Sequence, residues 1–273
     1  MPRTEARERP CAIVGILNVT RDSFSDGGRY LDPDAAIVHG LALAEGGAAI
    51  VDVGAESTHP DAEDVTATEE IRRLVPVVEA LVAAGVEVSV DTHKPDVIAR
   101  MLTLGVRMVN DVTGLADPRS RELLAAAGAR VVLMFSRSHG ARAERRDGGV
   151  ENVSRDVVAA LRDRLETVVA AGIERERIVV DPGMGFFLSR APEASFRVLA
   201  ELDRIRRELA APIMVSVSRK SFLGAATGRP ASARGAATLA AELWAWQQGA
   251  DFIRTHDVRA LADAIRTWRS IRR

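Results

Sequence analysis

The stretch Ala12-Ile-Val-Gly-Ile-Leu-Asn-Val-Thr-Arg-Asp-Ser-Phe-Ser-Asp-Gly-Gly28 contains the pattern that is most informative about the fold. Its apolar run from Ala12 to Leu17 has the length of a strand that is buried on both faces. The run stops at Asn18 and opens into a polar loop that two glycines close. A buried strand that ends in a polar loop presents chemistry at its carboxyl end. For most loops of this kind, a strand followed by a simple surface turn is the right interpretation, and what argues against it here is that the pattern is repeated along the chain.

The same pattern recurs along the chain at intervals of about 30 residues. Further apolar runs, each followed by a helical pattern, lie near residues 49–53, 86–90, 107–110, 129–134, 178–181, 213–217 and 251–254. Alternating strands and helices predict a parallel sheet, and eight units predict a closed (β/α)8 barrel of the TIM type. A doubly wound open sheet is the alternative. We assign residues 11–273 to a single barrel domain and residues 1–10 to a flexible N-terminal segment.

The amino-acid composition is that of a globular protein and gives no support for several kinds of partner. A hydrophobic fraction of 47% supports a sizeable core, and a charged fraction of 27% suits a soluble surface. The net charge of −1 gives no electrostatic support for a nucleic-acid or membrane partner. Cys11 is the only cysteine, so neither an internal disulfide nor a cysteine-based metal cluster is available. Without a signal-peptide or membrane-spanning pattern, we expect a cytoplasmic protein.

Polar residues stand at the predicted strand ends. In a (β/α)8 barrel these ends meet at one face, which is where such enzymes place their active sites. The residues expected there are Asn18, Glu56, Asp91, Asn110, Asp181, Lys220, Arg254 and His256. One of them alone would be typical of a turn or a helix cap. A whole set of polar and charged side chains at corresponding strand ends costs free energy unless these groups have partners. We therefore expect the set to form a binding site.

The types of side chain indicate the chemistry of the ligand. Asp91, Asn110 and Asp181 offer acceptors and an amide to a heterocycle edge that carries N–H, amino and carbonyl groups. Lys220 and Arg254 supply fixed cations for an anionic group beside the heterocycle. The chain therefore predicts a site for a planar polar ring that carries an anion.

Two further groups fit the anion. His256 follows Arg254 closely and supplies an adjacent donor. Asn18, with the Ser/Thr-rich loop after it, fits a hydrated Mg²⁺ held against phosphate oxygens, because Mg²⁺ keeps several waters and needs few protein ligands. Asn18 is as typical of a turn, so its residue type alone leaves turn formation open.

These stretches together resemble the dihydropteroate synthase family. The matching residues are Gly15-Ile-Leu-Asn-Val-Thr20, Asp22-Ser-Phe-Ser-Asp-Gly-Gly28, Asp52-Val-Gly54 with Glu56-Ser-Thr58, Ser89-Val-Asp-Thr92 with Lys94-Pro95, Asn110-Asp-Val112, Asp181-Pro-Gly183 with Gly185-Phe186, Ser216-Val-Ser-Arg-Lys-Ser221 and Arg254-Thr-His-Asp257. They follow one another in order over nearly the whole chain, so the resemblance is specific.

The resemblance implies a transferase reaction of folate biosynthesis. In it, 6-hydroxymethyl-7,8-dihydropterin pyrophosphate condenses with 4-aminobenzoate to give 7,8-dihydropteroate and pyrophosphate. It also implies Mg²⁺ as cofactor, with Asn18 as its ligand, and a homodimer. We expect the dimer interface on the tryptophan-bearing last two helices, 234–248 and 258–268.

The resemblance also implies roles for particular residues. Those expected to bind the pterin are Asp91, Asn110, Met134, Asp181 and Lys220. Those expected to bind pyrophosphate are Asn18, Arg254 and His256. Those expected to bind aminobenzoate are Phe24, Thr58, Pro60, Lys220 and Ser221. Those expected to act in catalysis are Asp22, Asp91, Asp181 and Lys220.

Departures from the family pattern fall around the aminobenzoate side. Arg21 stands where the family usually has proline, and His59 stands where it usually has arginine. Met184-Gly-Phe-Phe187 and Ala250-Asp-Phe-Ile-Arg-Thr-His256 are similar to the sulfonamide-insensitive branch, although Thr113-Gly-Leu115 lacks the Gly-Phe pair associated with it. This similarity implies reduced sulfonamide sensitivity.

Two other functions stay open on the sequence. One is a pterin-binding methyltransferase-type barrel, which would have no use for the cluster of Lys220, Arg254 and His256. The other is a catalytically silent paralogue, suggested by His59 and Phe135. We further expect loops 20–28 and 54–61 to be poorly ordered without ligand and to close over it, and loop 135–152 to be mobile.

Overall fold

The computed structural model describes residues 11–20, 32–59, 61–138, 140–145 and 147–272. The strands in these ranges are β1 Ala12–Asn18, β2 Ile50–Gly54, β3 Val88–Asp91, β4 Met108–Asp111, β5 Arg130–Met134, β6 Ile178–Asp181, β7 Met214–Val215 and β8 Phe252–Thr255. The helices are α1 Pro33–Glu45, α2 Ala67–Ala83, α3 Pro95–Thr103, α4 Pro118–Ala127, α5 Val153–Ala170, α6 Pro192–Ala200, α7 Leu202–Leu209, α8 Ser221–Thr227, α9 Gly235–Gln247 and α10 Val258–Ile271. No helix of the described part is long and apolar enough to cross a membrane.

The strands form a parallel sheet in the order β6-β5-β4-β3-β2-β1-β8-β7. Its two edges meet, because Val180 of β6 pairs in parallel with Ile213 beside β7 and donates its N–H to the carbonyl of Pro212 at 2.9 Å. The sheet therefore curls into a barrel with the helices around it. The predicted (β/α)8 barrel is confirmed, and the open sheet is excluded.

Alternation along each strand separates two cores, since successive side chains point to opposite faces. One face fills the inside of the barrel with Val14, Ile50, Met108, Val132, Val179, Met214 and Phe252. The other face packs against the helices in a larger cluster that includes Leu17, Val53 and Val90. Polar residues two positions beyond the inner core therefore face into the mouth of the barrel, and this alternation builds the site.

Short polar residues and prolines set the starts of the helices. The side chain of Asp32 accepts the N–H of Asp34 at 3.1 Å before α1, and Thr66 accepts that of Glu69 at 3.2 Å before α2. Proline occupies the first turn of α1, α3, α4 and α6, where its missing N–H has no partner to lose. The Asp32-Pro33 start was predicted from the sequence and is confirmed.

Two segments differ from the sequence-based expectation. A single helix was expected over 193–209, but the chain forms α6 and α7, which are separated at Glu201 with φ −101° and ψ 10°. Helix α8 was not predicted, because Ser221–Thr227 is short and contains Gly224. This extra helix follows β7 directly and carries Ser221 at its first position, at the mouth of the barrel.

Candidate active site

The ends of the strands bring together a buried polar cluster. It contains Asp52 on β2, Asp91 on β3, Asn110 on β4, Asp181 on β6, Arg254 on β8, and Ser216 and Lys220 after β7. Most of these residues follow an inner-core residue by two positions on the same strand, as Asp52 follows Ile50 and Asp181 follows Val179. The site is therefore the layer of side chains directly above the hydrophobic interior of the barrel.

Arg254 connects two of the carboxylates. Its Nε donates to Oδ2 of Asp52 at 2.5 Å, and its Nη2 donates to Oδ2 of Asp91 at 2.8 Å. Burial opposes the charge of the guanidinium, but Asp52 and Asp91 outweigh burial and raise the pKa of Arg254. Asn110 donates from Nδ2 to the same Oδ2 of Asp52 at 3.3 Å. Arg254 therefore stays charged and fixed between strands.

Two carboxylates of the cluster, those of Asp91 and Asp181, have pKa values above that of an ordinary aspartate. Burial raises the pKa of Asp91 to about 7, although Arg254 opposes the shift, and Asp52 adds to it. Burial also raises the pKa of Asp181, with Lys220 opposing. Asp181 is held on both oxygens, since Gly183 N donates to Oδ1 at 2.7 Å and Ser216 Oγ donates to Oδ2 at 3.1 Å.

Lys220 is the second cation of the cluster. Its Nζ donates to the carbonyl of Met184 at 3.3 Å and lies 5.5 Å from the centre of the Phe187 ring. Burial lowers the pKa of Lys220 to about 8, while the negative charge of Asp181 opposes the shift. The ammonium group is therefore protonated at neutral pH but sits in a site that weakens its hold on the proton.

An apolar wall lies beside the polar cluster. Val112, Met134, Ala143 and Phe187 form a small separate core, against which Ala141 and Phe186 pack. Met134, the last residue of β5, pairs in register with Asp181 on β6. A planar ring that placed its edge on the carboxylates would therefore have apolar side chains beside it, as expected for a ligand pocket.

A cavity of about 490 Å³ continues the site toward the loops. Its lining includes Thr58, Asp91, Lys94, Val112 and Arg142, whereas Asp181 and Lys220 lie outside its lining. The cavity therefore occupies the side of the mouth that the loops after β2, β3 and β5 enclose. Asp91 stands where the cavity meets the polar cluster.

The loop after β2, residues 55–66, is joined to the loop after β5, residues 135–152. Ala143 N donates to the carbonyl of Thr58 at 3.0 Å. Nη1 and Nη2 of Arg145 donate to Oδ1 and Oδ2 of Asp61 at 3.0 Å and 2.5 Å. The guanidinium of Arg145 also lies 5.7 Å from the centre of the Phe186 ring. Arg145 thus connects the loops after β2, β5 and β6.

His256 and Asn18 stand on the side expected for an anion. Nδ1 of His256 lies 2.9 Å from Oγ of Ser218. Asn18 ends β1 and pairs in register with Gly54, which has no side chain to cover it. Within the described ranges no group of three or more His, Cys, Asp or Glu residues could hold a metal ion. The side chain of Asn18 carries an amide oxygen, which is a ligand type that Mg²⁺ takes alongside water.

Glu56 and Asp52 show what tertiary contacts add to the sequence prediction. Glu56, which was expected in the ligand cluster, lines the cavity and accepts from Lys94 Nζ at 2.5 Å, and the same Nζ donates to buried Glu70 at 2.6 Å. Asp52 was not named as a site residue, yet it is 1% exposed, bonds Arg254, and leaves Oδ1 without a partner among the described residues. An aspartate inside the apolar strand Ile50–Gly54 was the signal that could have identified it.

The other expected residues are placed as follows. The structure brings together Asp91, Asn110, Met134, Asp181, Lys220 and Arg254, with Asn18, His256 and Ser221 at the same face. Thr58 lines the cavity. Asp22, Phe24 and Pro60 lie outside the described residues, as do Arg21 and residues 1–10, so the expectations for them stay predictions.

The fold and this cluster define a class of protein: a (β/α)8 enzyme that binds a polar heterocycle beside an anion. Residues 14–256 match the family described as pterin binding enzyme. Dihydropteroate synthase type-2 from Escherichia coli is 47% identical over 93% of this chain and 93% of that protein. The type-3 enzyme from Escherichia coli is 45% identical over 93% of this chain and 97% of that protein.

A solved structure agrees with these relatives. The structure of Xanthomonas albilineans dihydropteroate synthase with 4-aminobenzoic acid has a TM-score of 0.88 and 39% identity, and the match covers 97% of this chain and 94% of that one. The chain belongs to the pterin-binding enzymes, in the family of the dihydropteroate synthases. The resemblance drawn from the sequence is thereby confirmed.

Proposed function

We propose that this protein condenses 6-hydroxymethyl-7,8-dihydropterin pyrophosphate with 4-aminobenzoate and releases 7,8-dihydropteroate and pyrophosphate. The observation that carries the proposal is the single cluster in which Asp91, Asn110 and Asp181 lie beside the cations Lys220 and Arg254. Membership of the family and the structural neighbour with 4-aminobenzoic acid support it.

The pterin ring would bind at the carboxylates. Its edge carries ring N–H and amino donors together with a carbonyl acceptor, so Asp181, Asp91 and Asn110 match it in kind. Asp181 is already oriented by Gly183 and Ser216, so little ordering remains for the ligand to impose. Met134 supplies apolar contact beside the ring.

The chemical step breaks the bond between the pterin methylene carbon and the pyrophosphate oxygen. The electron pair leaves with pyrophosphate, whose charge Arg254, His256 and Lys220 would stabilise. The carboxyl oxygens of Asp91 and Asp181 would favour the positive charge that develops on the pterin side. The amine nitrogen of aminobenzoate then forms the new C–N bond and loses a proton, so its main requirement is correct position.

The second substrate would bind toward the loops. Thr58 lines the cavity, and Lys220 and Ser221 lie at the start of α8. With Phe24 and Pro60 they would hold the aromatic ring of aminobenzoate, and Asp22 would contribute to catalysis from the loop after β1. Alanine variants of Thr58 and Ser221 should raise the Michaelis constant for aminobenzoate more than that for the pterin.

Mg²⁺ is the proposed cofactor, with the amide oxygen of Asn18 as its protein ligand. When bound, the ion would stabilise negative charge on the phosphate oxygens. Removal of Mg²⁺ with a chelator should lower turnover, and Asn18→Ala should raise the concentration of Mg²⁺ needed for half-maximal rate.

A homodimer and a cytoplasmic location belong to the same proposal. Trp246 was expected at the interface, but it is 4% exposed and packs in the core, whereas Trp244 is 49% exposed and Phe196 is 40% exposed. The exposed pair offers an apolar surface near α6 and α9. Light scattering at micromolar concentration should give the mass of two chains, and cell fractionation tests the location.

Reduced sulfonamide sensitivity is the last part of the proposal. Sulfonamides mimic aminobenzoate and differ in the group beyond the ring, so discrimination must arise at the rim. His59 stands at this rim, where its Nδ1 accepts the N–H of Asp61 at 3.3 Å. The ratio of the sulfamethoxazole inhibition constant to the aminobenzoate Michaelis constant should fall in His59→Arg. Equal ratios in both proteins would contradict this part.

Three assays on one preparation test the whole reaction. We expect pyrophosphate release that depends on both the pterin pyrophosphate and aminobenzoate. Methyl transfer from a methylated pterin, without pyrophosphate release, would instead identify a methyltransferase-type barrel. Pterin binding without either reaction would identify a silent paralogue.

A further inference from the structure

Arg219, which directly precedes Lys220, has a strained backbone. Its φ is 59°, in the left-handed region that non-glycine residues adopt at a cost. Such conformations persist only where the surrounding structure imposes them, and they occur most often at functional sites. The turn at Arg219 sets the direction of the chain that carries Lys220 into the polar cluster. Whatever holds this turn therefore affects the position of the site cation.

Both peptide groups of Arg219 are held from one direction. Its N–H donates to Oγ1 of Thr238 at 3.0 Å, and its carbonyl accepts from Nη1 of Arg234 at 2.9 Å. Thr238 is 5% exposed on α9, and Arg234 directly precedes that helix. The start of α9 thus satisfies the donor and the acceptor of the strained residue together.

Arg234 is itself fixed by its surroundings. Its Nε donates to the carbonyl of Arg229 at 2.9 Å. Gly224 lies so close that a Cβ at that position would meet Nη2 of Arg234 at 2.2 Å, so a larger residue there would displace the guanidinium. Arg234 is half-buried, and this partial removal from water lowers the pKa of its guanidinium. This is a built contact, with room made for it in the neighbouring helix.

We propose that Thr238 and Arg234 are positioning residues that hold Lys220 in the pterin site through the left-handed backbone of Arg219. The proposal rests on the proposed role of Lys220 in binding substrate. It assigns no contact with substrate to Thr238 or Arg234. If the turn relaxes, Nζ of Lys220 loses its place beside the Met184 carbonyl and the Phe187 ring.

The relaxed state has a measurable signature. Burial is what lowers the pKa of Lys220 to about 8, so a less confined ammonium group recovers a higher pKa. The alkaline limb of the pH profile should then move to higher pH. A loss of general stability would not produce this shift.

Paired variants at Thr238 isolate the hydrogen bond. Thr238→Val keeps the shape and removes the acceptor for the Arg219 N–H, whereas Thr238→Ser keeps the hydroxyl. We expect Thr238→Val to lower kcat/KM for the pterin pyrophosphate about tenfold, because the half-buried N–H of Arg219 loses its partner. Thr238→Ser should stay within about twofold of wild type. Arg234→Gln gives a second, independent variant if Thr238→Val does not fold.

A backbone rescue sharpens the test. Glycine adopts the left-handed region without strain. The double variant Thr238→Val with Arg219→Gly should therefore recover part of the activity that Thr238→Val loses, measured against Arg219→Gly alone.

Arg177 supplies a matched control at the opposite face of the barrel. Its side chain also holds a backbone carbonyl, that of Ala129, at 3.0 Å and 2.8 Å. Arg177→Met should lower the unfolding temperature while the alkaline limb stays in place. Turnover by the wild type tests the proposed reaction separately from these comparisons.

The outcome is read from four proteins: wild type, Thr238→Val, Thr238→Ser and Arg177→Met. The proposal predicts a reduced kcat/KM and an upward shift of the alkaline limb in Thr238→Val alone. The contrary result is a variant that loses stability, as Arg177→Met does, but keeps the wild-type kcat/KM and alkaline limb. Such a result for Thr238→Val, or for Arg234→Gln in its place, overturns the proposal. If the wild type binds the pterin without turnover, the proposed function fails. The positioning role of Thr238 is then tested by comparing the pH dependence of pterin binding among the same proteins.

Discussion

Nη2 of Arg254 lies 2.8 Å from Oδ2 of Asp91. The cation expected to bind pyrophosphate and a carboxylate expected to bind the pterin are therefore paired directly. Arg254 is expected to bind one part of the substrate and Asp91 the other part. Because the two residues are paired, a change at either should affect the binding of both parts. Asp52 holds the other edge of the same guanidinium at 2.5 Å and completes the arrangement.

Asp52→Asn should reduce kcat/KM for the pterin pyrophosphate by at least about tenfold, because a hydrogen bond between charged groups is worth about 1.5–3 kcal/mol. The negative charge of Asp52 contributes to the raised pKa of Asp91. Its removal should therefore also shift the acid limb of the pH profile to lower pH. Circular dichroism checks that the fold is kept, and an unchanged acid limb would contradict the arrangement.

The pH profile of kcat/KM should be bell-shaped with a narrow maximum. Turnover needs ionised Asp91, whose pKa is raised to about 7, and protonated Lys220, whose pKa is lowered to about 8. The rate should rise with pH through the first value and fall through the second, since kcat/KM reports groups of the free enzyme. Lys220→Arg should remove the alkaline limb. A flat profile between about pH 6 and about pH 9 would exclude these assignments.

The contact between Asp61 and Arg145 should control the second substrate. Asp61→Asn and Arg145→Gln should each raise the Michaelis constant for aminobenzoate about threefold, and the double variant should do no more than either, because both remove one contact. Pterin affinity should stay unchanged. The matched control is Arg119→Gln, which breaks an exposed pair with Asp96 at 2.7 Å. Additive effects of the two changes would show that the pair does not act as a unit.

Glu242 makes stability depend on pH. Burial raises the pKa of this carboxyl from 4.5 to about 8, while a hydrogen bond from Thr255 opposes the shift. The folded state keeps a proton that the unfolded chain loses, so this contribution to stability is complete below the unfolded pKa and is lost as pH rises through about 8. The unfolding temperature of Glu242→Gln should therefore be higher than that of the wild type. The difference between the two unfolding temperatures should grow from about pH 5 to about pH 8. A difference that does not change with pH would refute this.

The sequence predicted the barrel and most of the site for one physical reason. Buried parallel strands read as short apolar runs, and the first polar residue after each run marks the active face. Asp91, Asn110 and Asp181 were found in this way, because Asp91 and Asp181 end their strands and Asn110 is the last residue but one of its strand. Family resemblance added Met134, which no polarity argument identifies, because its role is apolar contact.

The residues that sequence reasoning missed depend on three-dimensional partners. Asp52 lies within β2 rather than at its end, so only the inward direction of its side chain reveals its role. Glu56 follows β2 and lines the cavity as expected for a residue of this face, but its ion pair with Lys94, which also contacts Glu70, depends on residues far away in the sequence. The contact of Thr238 with Arg219 joins residues that are 19 positions apart, and no local sequence pattern predicts it.

The central claim is that the strand-end cluster binds the pterin and supports condensation there. The most direct measurement is mass-spectrometric detection of 7,8-dihydropteroate from the two substrates, made side by side for wild type and Asp181→Asn, with pterin affinity measured by calorimetry. The account predicts product from the wild type, nearly none from Asp181→Asn, and weaker pterin binding in a variant that stays folded. Product from Asp181→Asn at the wild-type rate, with normal pterin affinity, would contradict it.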